Sequence, residues 1–135
     1  MKATKLIGIL SLLILLTTLS ADEGPKIMVI NSNASVEKYR IAQEAFTRSI
    51  LLPVQEIDLG EKKWKLREIE DRLYDVYPDL AYCIGTKAYL LAKKFISERH
   101  IVFSSIMNWR RLRLARHTYG VSNELNPEMQ LTLYR

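Results

Sequence analysis

The chain has 135 residues, 48% of them hydrophobic and 26% charged, with 20 basic and 15 acidic side chains and a formal net charge of +5. That composition suits one globular domain and excludes a disordered polyelectrolyte. A single cysteine excludes an internal disulfide, so core packing must supply the stability.

The first element is a leader pattern. Residues Met1–Lys5 carry two lysines, Leu6–Leu19 is a nearly unbroken apolar run, and Ser20-Ala21 places small residues before Asp22-Glu23-Gly24-Pro25. This is the charged, apolar and cleavage-site order of a secretory signal peptide, and the run is shorter than the roughly 20 residues a spanning helix needs. The expectation is cleavage after Ser20 or Ala21 and an extracytoplasmic or periplasmic location. No cysteine lies near the cleavage site to carry a lipid anchor. Removal of residues 1–21 leaves 18 basic and 15 acidic residues, a net +3. So mild a charge on an exported chain argues against a nucleic-acid partner.

The mature part alternates strand and helix patterns. Lys26–Asn31 (KIMVIN), Val54–Leu59 (VQEIDL), Leu80–Gly85 (LAYCIG), Ile101–Met107 (IVFSSIM) and Thr118–Ser122 (TYGVS) are short segments rich in β-branched or aromatic residues. Between them Tyr39, Ala42, Phe46 and Ser49-Ile50 fall on one helical face. Leu66, Ile69, Leu73 and Val76 fall on a second, and Ala88, Leu91, Ala92 and Phe95 on a third. Strand starts near Ile27, Val54 and Ala81 lie 27 residues apart, about one strand–helix unit each. The expected fold is α/β: a three-layer parallel sheet of about five strands in the order 2-1-3-4-5, flavodoxin-like. Ligands in such sheets bind beyond the strands' carboxyl ends, where the order reverses between strands one and three.

Those ends carry the candidate residues. Asn31, Ser32, Asn33 and Ser35 follow the first strand, Gly85-Thr86-Lys87 the third, and Ser104, Ser105, Met107 and Asn108 the fourth. Together they make a polar rim suited to hydrogen-bonding a small solute, although each also has ordinary uses in caps and turns. Catalytic and metal patterns are missing. There is no G-x-S-x-G elbow, Walker loop or G-x-G-x-x-G after strand one, and His100 and His117 form no metal spacing with Cys83 or a carboxylate. Asn31-Ser32 and Gly85-Thr86 stand where a phosphoacceptor receiver would want acidic residues. The reading is a non-enzyme with no cofactor and no metal. Cys83, inside an apolar strand, is read as a small buried hydrophobe. Trp109–His117 (WRRLRLARH) puts four arginines and a histidine among apolar residues, read as a solvated segment or else a docking patch.

The series IMVINSNASVEKYRIAQEAF, YPDLAYCIGTKAYLLAKK, IVFSSIMNW and YGVSNELNPEMQLTLYR resembles the first lobe of a family of ABC-transporter substrate-binding proteins. This family is often labelled an uncharacterized transport system periplasmic component, and some of its members bind tryptophan or other aromatic amino acids. The resemblance spans nearly all of residues 26–135 and is most specific in the PDL…GTKA and GVS…PExQL blocks. It implies the amino-terminal lobe of a type 1 periplasmic-binding-protein fold over residues 22–125, with residues 126–135 beginning a helix that crosses to a second lobe, absent here. It also implies that Ser32, Asn33, Ser35, Gly85, Thr86, Met107 and Asn108 line a cleft for an amino-acid-like solute. The implied partners are a membrane permease and, across the cleft, a second lobe or another copy of the chain. Trp109 replaces the proline that relatives carry after the asparagine, so the third wall departs from the family pattern. An exported single-lobe interaction module, docking a membrane or protein partner through Trp109–His117, is the alternative.

Overall fold

A computed structural model describes residues 24–122. The signal-peptide expectation for residues 1–21 and the crossover-helix expectation for residues 126–135 lie outside them. The described chain runs β1 (Ile27–Asn31), α1 (Glu37–Ser49), β2 (Val54–Asp58), α2 (Leu66–Val76), β3 (Leu80–Ile84), α3 (Thr86–Ile96), β4 (His100–Ser104), a 3-10 turn (Trp109–Arg111) and β5 (Thr118–Gly120). The five strands form one sheet in the order β2-β1-β3-β4-β5, and every pairing is parallel. The order and the strand directions are those expected from the alternation of patterns.

The central strands are buried on both faces, which is why they read as continuous apolar runs rather than as alternations. All five residues of β1 are buried, as are Ala81, Tyr82, Cys83 and Ile84 of β3. The two faces are unequal. On one, Met28, Ile30, Ala81, Cys83, Ile101 and Phe103 pack against Ile69 and Leu73 of α2 and against Ala88, Tyr89, Ala92, Phe95 and Ile96 of α3. On the other, the buried residues Val29, Tyr82 and Ile84 meet Tyr39, Ala42 and Phe46 of α1, none of which is fully buried. Phe46 lies on Tyr82, with ring centroids 4.4 Å apart.

Local chemistry sets the element boundaries. Glu68 accepts a hydrogen bond from Lys65 N–H at 3.0 Å, satisfying a donor at the start of α2. That helix ends on Tyr77, a left-handed residue (φ 42°) whose N–H reaches Leu73 O at 2.8 Å, just before Pro78. The β4–β5 connection holds a 3-10 turn where a fourth helix would stand in a fully wound sheet. Trp109 and Leu112 from this connection pack on the core beside Phe103. Tyr89 OH accepts from Ala115 N–H at 3.2 Å, and Lys93 Nζ donates to Arg113 O, tying the same segment to α3. The basic stretch is therefore an anchored cover, with Arg110, Arg111, Arg113 and Arg116 exposed along it.

Candidate functional site

The carboxyl ends of β1 and β3, adjacent in the sheet, are where the strand order reverses. The loop after β1 is held from within. Asn31 is fully buried. Its side-chain amide donates to Gln43 Oε1 at 2.7 Å and to Tyr39 O at 3.3 Å, while its Oδ1 accepts from Asn33 N–H at 3.0 Å. Asp58, ending β2, braces the same loop by accepting from Ala34 N–H at 3.0 Å and Gly60 N–H at 2.9 Å. Asn33 Oδ1 in turn accepts from both the backbone and the hydroxyl of Ser35, at 3.0 and 2.6 Å. Asn33 and Ser35 thus close a local turn, with Ser35 itself exposed.

Ser32 joins the two loops. Its N–H donates to Ile84 O at 2.9 Å, and its Oγ accepts from Ala88 N–H at 3.0 Å in the first turn of α3. A residue 56 positions earlier in the sequence therefore caps this helix. Gly85 stands between, at φ 87° and ψ 165°, a conformation essentially reserved for glycine. A β-carbon there would meet Ser32 Oγ at 2.6 Å and the Tyr39 ring at 3.2 Å. The close approach that glycine permits is thus to Ser32 and Tyr39. With Gly85 N–H bound to Ser104 O at 3.0 Å and Ala88 N–H bound to Ser32, the N–H groups of Thr86 and Lys87 remain as the open donors of this helix start. Both residues are exposed at the sheet edge.

The structure brings Ser32, Gly85 and Thr86 together, with Asn33 and Ser35 in the adjoining turn. Gly85 N–H to Ser104 O links this group to the end of β4. Ser105 follows with φ 60° and Asn108 with φ 54°, while Met107 is 78% exposed. Tyr39, one turn beyond the first loop, forms the wall against Gly85. Sequence reasoning gave no site role to two participants, Gln43 as the partner of Asn31 and Asp58 as the brace between loops. Their signal lay in tertiary pairing, which spacing does not carry. Tyr82 OH and Ser104 Oγ, 2.7 Å apart and buried, form a further polar pair on the α1 face of the sheet.

A cleft of about 180 Å³ lies at the opposite, amino edge, between Pro25, Lys26 and Ile27 on one side and Leu52, Pro53 and Val76 on the other. Pockets that enclose small molecules usually measure about 300–1,000 Å³. Burial pushes the Cys83 thiol far above its ordinary range, in keeping with a packing role. No group of three or more metal-ligating side chains occurs among the described residues, and no described helix is long and apolar enough to cross a membrane. Comparison with family models, curated proteins and solved structures gives no match.

Proposed function

We propose that residues 24–122 form a solute-binding lobe that serves an importer of small amino-acid-like solutes outside the cytoplasm. The observation that carries this reading is the open start of α3 at the reversal point of the sheet. There Thr86 and Lys87 offer backbone N–H groups beside the Ser32 hydroxyl, an arrangement that favours a carboxylate or other polar acceptor. The brace from Asn31, Asp58 and Gly85 holds that edge in shape without using the Thr86 hydroxyl. Binding by one lobe leaves the ligand half in water, so a second wall, from another lobe or another copy, completes the cleft. Calorimetric titration of the mature chain with a panel of amino acids tests the reading, alone and joined to a second lobe. Binding that weakens in Thr86→Pro, which removes one of the two open N–H groups at a first helical position that tolerates proline, supports it; a solute that binds with full affinity to that variant places the site elsewhere.

A docking role is the second reading. It is favoured by Met107, 78% exposed at the head of a segment presenting Arg110, Arg111, Arg113 and Arg116 while Trp109 and Leu112 fix it to the core. Charge reversal at Arg111 and Arg113 with solute binding retained, but with the chain lost from its membrane complex, would favour docking.

A further inference from the structure

His100 opens β4 and His117 immediately precedes β5, so the two residues are 17 positions apart in the sequence. Ile101 pairs with Thr118 in the parallel ladder, which sets His100 and His117 side by side one step earlier. Parallel neighbours send their side chains to the same face of the sheet. Ile101 N–H bonded to His117 O at 2.9 Å fixes the two backbones, and the ring centroids lie 5.2 Å apart. His100 is exposed and His117 half-buried.

We propose that His100 and His117 are a two-point site for a divalent cation of the zinc or nickel class, at the amino edge and opposite the candidate solute site. A tetrahedral ion holds imidazole nitrogens at about 2.0–2.1 Å, and each nitrogen lies about 1.1 Å from its ring centre. Two such rings on one ion therefore have centroids about 5.2 Å apart. The rings already stand at that separation, tilted 52° to one another. In the proposed site, rotation about the side-chain bonds would turn a nitrogen of each ring toward the shared ion. The neighbouring Arg99 is drawn aside, its guanidinium 3.8 Å from the Tyr77 ring centre and 3.6 Å from Asp79. No third histidine, cysteine or carboxylate joins the pair among the described residues. Water fills the remaining positions, and the ion exchanges readily compared with a four-ligand structural site.

Zinc chloride titrated into the full chain at pH 7.5, in a non-chelating buffer and followed by calorimetry, tests the site. The expected result is one ion per chain, with affinity at least tenfold weaker in His100→Ala and in His117→Ala. Nickel should behave alike, because imidazole nitrogen suits both ions. Wild-type affinity in either variant, or no binding by the unaltered chain, overturns the proposal. If His117→Ala does not fold, histidine ring nitrogen spectra of the unaltered chain read the same contact. Zinc must then shift the signals of both rings, and a shift of one or neither overturns the proposal.

Discussion

A methyl group on Gly85 would press into the Ser32 hydroxyl and the Tyr39 ring in a backbone conformation that side chains rarely adopt. Gly85→Ala is therefore expected to cost about 1–3 kcal/mol, read from the shift of the denaturant midpoint. Ser32→Ala removes the acceptor of Ala88 N–H and should cost about 1 kcal/mol, the usual worth of a helix-cap bond. The pair of variants separates strain from capping. If Gly85→Ala proves as stable as the wild type, the loop after β3 relaxes more easily than its packing indicates. Cys83 offers a third measurement. Fully buried and protonated, it should resist a thiol reagent at pH 8 in the native protein and react once denaturant opens the fold. Native-state labelling at the unfolded rate would refute its burial.

The helices differ in how firmly they are held. Phe46 is the largest apolar residue by which α1 grips the sheet, and it is only half-buried. Phe46→Ala should cost about 2–3 kcal/mol, below the range of about 3–5 kcal/mol for a fully buried phenylalanine such as Phe103. Between α2 and β4, Tyr77 OH donates to Glu98 Oε1 at 2.7 Å. That bond holds the Glu98 carboxyl below its ordinary value and, with some desolvation, the Tyr77 hydroxyl above its own. A lowered carboxyl pKa stabilises the fold above the unfolded value and loses that contribution as pH falls through the folded one. A raised phenol pKa stabilises the fold below the unfolded value and loses that as pH rises through the folded one. Tyr77→Phe should therefore flatten both the acid limb below about pH 4.5 and the alkaline limb above about pH 10, a small effect because both groups face solvent. Unchanged limbs in the variant would mean the bond does not persist in solution. The strands and helices were legible because buried parallel strands and amphipathic helices impose their periods on the sequence. Two features were not. The 3-10 cover between β4 and β5 hides behind a basic composition that suggested a solvated segment. The use of Ser32 to cap α3 and of Asp58 to brace the turn at Ala34 depends on which loops the sheet brings together, a matter of register rather than of local pattern.

For the whole molecule, the proposed solute-binding role, with one wall, predicts weak capture alone and strong capture in pairs. A complete pocket buries about 70–90% of a small ligand, whereas the exposed edge at Thr86 covers one side. Joining a matching second lobe should raise affinity by at least tenfold, measured by calorimetry with the same solute; equal affinity with and without it would mean one lobe holds the entire site. The unequal covering of the sheet has a consequence for motion. The face under α2 and α3 carries most of the buried side chains, while α1 rests on the opposite face with no residue fully enclosed. Amide protons of α1 should therefore exchange with solvent before those of α3, through an opening smaller than global unfolding. Gln43 and Tyr39 of α1 are also the partners of Asn31, so the same opening slackens the loop that carries Ser32. A solute gripping that loop should slow exchange throughout α1, including turns it never touches.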